Sequence, residues 1–264
     1  MTSASTHRIV SLVPSLTETL CHFGKQQSIV GCTGFCTEPK SLRKTVPSVG
    51  GTKDANVEKI IQLKPSHVVV NREENTQSVI ARLRELKSLH QFELIETFLE
   101  FPEDNFSLIE SLAQTFEFTQ QAQFWCRAQR TNLSELQRKM NGKKAFSFVY
   151  FIWMNPWMTA GDRTYISRCL ELIGGENALK TGTNLAERYP VITPSDRRIL
   201  DARWLLFSSE PFPFKHRHIE KFLDQSGEKK SFVKVDGQAL SWYGSRFEFT
   251  LKELETLRAK VEEN

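Results

Sequence analysis

The sequence predicts an α/β protein with two lobes, each a parallel sheet covered by helices, and a long helix between them. Three observations predict this. Residues 8–97 alternate short apolar strands with amphipathic helices, and residues 144–263 do so again. Between Pro102 and Gly142 the chain has neither glycine nor proline, the breakers that punctuate both flanks. The expected division is an N-terminal lobe over 1–103, a helical connector over 104–141 and a C-terminal lobe over 142–264.

The first lobe opens with RIVSL (8–12), a buried strand, followed by a Ser-Pro turn and a short helix that ends at Gly24. Ser15 is expected to cap that helix, with Glu18 three residues on completing a capping box. Gly24 supplies a left-handed stop. SIVGC (28–32) is a second strand, and SVGGTKDAN (48–56) is a polar loop whose Gly50 and Gly51 read as turn formers. VEKIIQLKP (57–65) is a helix closed by Pro65, and HVVV (67–70) is the continuous apolar run of a buried parallel strand. Residues 75–87 place Val79, Leu83 and Leu86 on one helical face, and FELIET (92–97) completes the lobe.

In the connector, Phe106, Ile109, Leu112, Ala113 and Phe116 keep helical spacing. Thr119 is placed to cap a second helix running to about Met140, roughly 33 Å long at 1.5 Å per residue. It is either an ordinary surface helix or a rigid connector. The last lobe reads as a strand at 144–153, a helix at 165–175, a helix end and strand within 199–209, a helix at 214–224, a strand at 231–237 and a terminal helix at 249–263.

Composition narrows function. The 35 basic and 31 acidic residues are well mixed, so a net charge of +4 does not argue for nucleic acid. No apolar stretch approaches the roughly 20 residues that span a bilayer. MTSASTHR at the start has no apolar core for a secretory signal, so the expected location is cytoplasmic as the sequence stands, or periplasmic if the N-terminus is incomplete. Five cysteines, Cys21, Cys32, Cys36, Cys126 and Cys169, are irregularly spaced and suggest no disulfide framework. Cys32 and Cys36 do not have the C-x-x-C spacing of a redox or zinc site. His216 and His218, two apart on a helix, point to different faces. His7, His22, His67 and His90 are scattered, so no protein-only metal site is expected. No nucleophile elbow, phosphate-binding loop or HExxH motif occurs.

Ligands of α/β lobes sit at the loops after the carboxyl ends of strands. Here those are 33–38, 48–56, 71–75, 153–165, 208–214 and 237–246. They carry Phe35, Trp153, Trp157, Met158, Tyr165, Phe212, Phe214, Trp242 and Tyr243, with Thr52, Lys53, Asn71, Arg72, Glu73, Glu74, Arg163, Glu210 and Arg246. Large aromatics with a few charges suit a bulky planar ligand. Trp157 and Met158 read as exposed turn residues between Pro156 and Gly161. Trp242 and Tyr243, adjacent after a strand, cannot both face a core.

Four stretches carry a family resemblance: RIVSLVPSLTETLCHFG (8–24); GGTKDANVEKIIQLKP with HVVVNREEN (50–75); PWMTAGDRTYISRCLELIGGENAL (156–179); and SSEPFPFKHRHIE (208–220) with SWYGSR (241–246). In order and content they resemble the receptors that deliver vitamin B12 and ferric siderophores to ABC importers. The resemblance implies two Rossmann-like lobes joined by one rigid helix, with a ligand cleft between them. It implies a solute-binding protein, monomeric, without catalysis or an intrinsic cofactor, whose ligand brings its own cobalt or iron. It places Phe35 where a Tyr contacts cobalamin, Asn71 and Tyr189 where Trp residues do, and Met158 near a contacting Phe. The loss of an aromatic at Asn71 makes the first-lobe pocket more polar and leaves a corrinoid variant or a ferric chelate open. Docking to a transporter permease would use Glu58 and Asp196. The alternative is a cytosolic enzyme or handling protein for such a ligand, with Glu73, Glu74, Glu210 and Tyr243 as acid-base groups.

Overall fold

In a computed structural model describing residues 7–182, 184–227 and 229–263, the N-terminal alternation forms a four-stranded sheet. Its strands are β1 (Ile9–Ser11), β2 (Ile29–Cys32), β3 (His67–Asn71) and β4 (Glu93–Thr97). They lie in the order β2-β1-β3-β4, all parallel, as predicted. Val68, Val69 and Val70 of β3 are fully buried, which explains the unbroken apolar run. Val10, Leu12, Val68 and Val70 pack with Ile60, Ile80 and Leu83 from the covering helices α2 (Val57–Gln62) and α3 (Gln77–His90).

The first helix, α1 (Pro14–His22), departs from expectation at its start. Pro14 occupies its first turn, where the missing N–H costs nothing. Val13 is the cap residue and no side chain caps the helix. Ser15 therefore lies inside the helix, and Glu18 pairs with Arg246 instead of closing a capping box. The end is as expected: Gly24 has φ +77° and Lys25 N–H bonds Leu20 O at 2.8 Å, a Schellman closure. Helix α3 runs three residues beyond Lys87 and stops at Gln91, which takes the left-handed conformation usually left to glycine. Helices α4 (Asp104–Phe116) and α5 (Thr119–Met140) follow as read from the apolar spacing, and Thr119 is the first residue of α5 rather than its cap.

The second sheet contains β5 (Phe146–Trp153), β6 (Trp157–Ala160), β7 (Gly175–Asn177), β8 (Val191–Ile192), β9 (Trp204–Ser208) and β10 (Ser231–Val235). The order is β10-β9-β5-β6-β8, with β7 also paired to β5. Strands β5, β7, β9 and β10 are parallel, whereas β6 runs antiparallel to both β5 and β8. The expectation of a purely parallel second sheet is thus corrected to a mixed one. The cause is the turn at Met154–Asn155–Pro156, where Asn155 at φ +64° sends the chain back along β5. Phe151 stacks on Phe207 at 4.5 Å, and both pack with Val149, Leu205, Ile219 and Phe222. The remaining helices are α6 (Tyr165–Glu171), α7 (Arg197–Asp201), α8 (His216–Ser226), α9 (Gly237–Ser241) and α10 (Phe247–Glu262). Strands β6, β7 and β8 and helix α9 are too short to show a period in the sequence.

Two compact units result. The first takes the chain as far as Leu99, together with Asn105–Cys126 and Tyr243–Arg246. The second takes Glu100–Asp104, Arg127–Trp242 and the chain from Phe247 on. No helix among the described residues is long and apolar enough to cross a membrane.

Candidate functional site

In the first unit, the loops beyond the carboxyl ends of β1, β2, β3 and β4 are tied together by two asparagines. Asn71, the last residue of β3, is buried. Its Oδ1 accepts from Glu73 N at 2.8 Å and Glu74 N at 3.2 Å, and its Nδ2 donates to Thr97 Oγ1 at 3.2 Å. Where the resemblance would put an aromatic ligand contact, this chain has the residue that shapes the turn. Asn75 accepts from Asn71 N at 2.8 Å and donates to Leu12 O at 3.2 Å and Thr52 O at 2.9 Å. It thereby joins three loops, a role the sequence did not single out. Lys53 Nζ donates to Glu73 O at 2.6 Å. Thr52, Lys53, Asn71 and Glu73 are therefore brought together, while Arg72 is exposed beside them.

Beneath this layer, Tyr243 Oη donates to Glu74 Oε1 at 2.9 Å. Burial pushes the Glu74 carboxyl up to about 7. The Tyr243 hydrogen bond and the Lys53 charge oppose that rise, and Cys36 and Glu73 add to it. Burial, with the Glu74 charge and hydrogen bond behind it, raises the Tyr243 hydroxyl well above its usual range. Burial also lowers the Lys53 amine, against the pull of Glu74 and Glu73. The segment bearing Tyr243 is anchored on both sides. Arg246 Nε pairs with Glu18 Oε2 at 2.5 Å, Ser245 N donates to Thr19 Oγ1 at 3.0 Å, and Gly244 N donates to Asn105 Oδ1 at 2.5 Å. Gly244 has φ +82°, and a Cβ there would meet Thr19 Oγ1 at 2.2 Å, so only glycine fits. Tyr243 and Arg246 thus direct their polar ends into the first unit.

Phe35 is 61% exposed, on a loop pinned by Gly34 N to Gly50 O at 2.8 Å. Glu58 is exposed in the first turn of α2, which Asn56 caps by accepting from Lys59 N at 2.8 Å.

In the second unit, Trp153 ends β5 and is 39% exposed. It meets Phe212 edge-on at 5.7 Å, and Phe212 in turn touches Phe214 at 4.8 Å and His218 at 5.1 Å. Phe214 is buried behind them. Arg163, Tyr189, Glu210 and Trp242 are half-buried, and the Glu210 carbonyl accepts from Ser208 Oγ at 2.5 Å.

Two expectations fail here. Trp157 is not an exposed turn residue but part of β6, 8% exposed, stacked on Phe214 at 6.1 Å and edge-on to Phe222 at 5.0 Å. Met158 follows it in the strand, half-buried, and Tyr165 is buried in the first turn of α6. Asp196 is not an exposed docking acid. It caps α7 by accepting from Arg198 N at 3.0 Å and pairs with Arg198 Nη2 at 2.6 Å, which holds its carboxyl below its usual range. The second unit also contains a charge cluster the sequence did not reveal, Glu100 paired with Arg188 at 3.0 Å and Arg168 at 3.4 Å. Its members are up to 88 positions apart. Among the described residues no cluster of three or more potential ligands could hold a metal ion.

A family model described as periplasmic binding protein matches residues 9–228, and the chain belongs to that family. An uncharacterized ABC transporter substrate-binding lipoprotein, YvrC of Bacillus subtilis, is 29% identical over 175 residues, 65% of this chain and 55% of that protein. The vitamin B12-binding protein of Pectobacterium carotovorum is 25% identical over 174 residues, 64% of this chain and 60% of its own length. The chain thus spans little more than half the length of these curated relatives. Among solved structures, a periplasmic heme binding protein from Pseudomonas aeruginosa superposes with a TM-score of 0.78, covering 96% of this chain and 92% of its own. At 18% identity that likeness shows the fold alone.

Proposed function

We propose that the chain is a solute-binding protein for a corrinoid or another metal chelate and serves as the substrate-binding component of an ABC importer. One observation carries the reading. At the carboxyl ends of the strands, where most loop side chains are turned to internal bonds, Phe35 and Trp153 stay exposed. Exposed aromatics at that end of a sheet offer flat contact area to a planar ligand. The names of the relatives supply the class: vitamin B12 for one, ABC transport for another. On this reading the ligand carries its own cobalt or iron. A receptor of this kind works on the outer side of the inner membrane, the second of the two locations expected above. Glu58, exposed at the start of α2, is the acid suited to dock on the permease.

The test is a tryptophan fluorescence titration with cobalamin, cobinamide, haem and ferric siderophores, corrected for ligand absorbance, beside Trp153→Ala. Saturable quenching by one class, with Kd raised about tenfold or more in the variant, is the expected result. No saturable response to any of them overturns the reading.

A further inference from the structure

Two thiols in the first unit are held against each other beneath the exposed Phe35 loop. Cys32 is the last residue of β2, and Cys36 closes the following turn, its N–H bonding Thr33 O at 3.1 Å. Both are buried and both are free. The two thiols interact, each acting strongly on the other's ionisation. Cys36 Sγ also lies 3.1 Å from Thr17 Oγ1 and 3.3 Å from Thr33 Oγ1. Two hydroxyls therefore converge on one sulfur beside the second thiol, and such a setting favours thiolate over thiol. The pair is correspondingly unequal. The Cys32 hydrogen bond, with Thr17 and Thr33, holds Cys36 below the usual thiol range against the opposing effect of burial. The same hydrogen bond, together with burial, raises Cys32.

We propose that Cys32 and Cys36 are a reversible oxidation site that forms an intramolecular disulfide when it meets a two-electron oxidant of the hydroperoxide class. Cys36 is the attacking sulfur and Cys32 the resolving one. The Cys36 thiolate attacks a peroxide oxygen, the O–O bond breaks, and the departing hydroxide takes up a proton to leave as water. The product is a Cys36 sulfenic acid. Cys32, four residues back in the chain, gives up its proton and attacks the Cys36 sulfur. The S–O bond breaks, and hydroxide leaves with that proton as a second water. Two thiols and one hydrogen peroxide become one disulfide and two waters; the sulfurs lose two electrons and the peroxide gains them. Cys36 has no exposed surface, so the reaction passes through an opening of residues 33–36, the segment that carries Phe35. The disulfide then closes a short ring around Thr33, Gly34 and Phe35 and fixes the loop.

Trypsin makes the test direct. Residues 26–40, QQSIVGCTGFCTEPK, form one peptide with both thiols, while Cys21 falls in the peptide before it. Native protein is treated with equimolar hydrogen peroxide at neutral pH, denatured in alkylating reagent, digested and mapped by mass spectrometry. The expected result is a 26–40 peptide two hydrogens lighter and unalkylated, with the thiol titre falling from five to three and returning to five on reduction. Cys32→Ser should leave a Cys36 sulfenic acid that dimedone traps, and Thr17→Val should slow disulfide formation severalfold. Full alkylation of both thiols after the peroxide is consumed overturns the proposal. So does a link from Cys21, or an unchanged rate in Thr17→Val. The wild-type map decides the matter even if the serine variant fails to fold.

Discussion

Replacing Glu74 with glutamine isolates the effect of one buried carboxyl on stability. In the folded chain this acid ionises at about 7, against an ordinary 4.5, chiefly because it is buried. A shift of about 2.5 pK units corresponds to roughly 3 kcal/mol at about 1.36 kcal/mol per unit. Between the two values the native state holds a proton that the unfolded state has released. Stability from this group is therefore full below pH 4.5, falls as pH rises towards 7, and is lost above it. Lys53, Glu73, Cys36 and Tyr243 face the carboxyl and are unchanged by the substitution. Glutamine Oε1 still accepts the Tyr243 hydrogen bond, now made to Glu74 Oε1 at 2.9 Å, so the variant loses the titration and keeps the contact. The expected result is that Glu74→Gln gains about 3 kcal/mol relative to wild type between pH 4 and pH 8. Urea unfolding at four or five pH values, with m checked for constancy, measures it. A wild-type-to-variant difference that stays flat within about 1 kcal/mol across that range would refute the argument that burial dominates at Glu74.

Trp157→Ala should cost about 3–5 kcal/mol in the same assay, because it empties a site packed by Phe151, Phe214 and Phe222. A loss below about 1 kcal/mol would place Trp157 outside the core. Asn71→Ala should destabilise by about 1–3 kcal/mol, since it leaves the Glu73 and Glu74 amides without their acceptor. Hydrogen exchange should show faster exchange at those two amides, and unchanged protection there would contradict the turn-shaping role.

Much of the architecture was legible because burial on both faces leaves an unmistakable mark, as in Val68, Val69 and Val70 of β3, and because α5 has no internal breaker. The failures share a cause: each depended on a partner far away in sequence or on a local residue that preempted the expected one. Pro14 began α1 before Ser15 could cap it, and Asn155 turned β5 into a hairpin, carrying Trp157 from an apparent loop into the core. Glu74 and Tyr243 each read as a group available to a ligand, yet they are 169 positions apart and bonded to each other. Asp196 matches a docking acid by resemblance, but Arg198, two residues on, pairs with its carboxylate. The same logic sorts the candidate site. Loops at the carboxyl ends of strands must satisfy their own backbone groups before they can serve a ligand. Asn71 and Asn75 do that work in the first unit. Their presence explains why a loop rich in polar side chains need not be a polar pocket. On the function proposed here, recognition falls to groups whose burial is incomplete. Phe35 and Trp153, exposed at the strand ends, are the groups that reading assigns, because an apolar ring left exposed there is stabilised by covering it with another flat apolar surface.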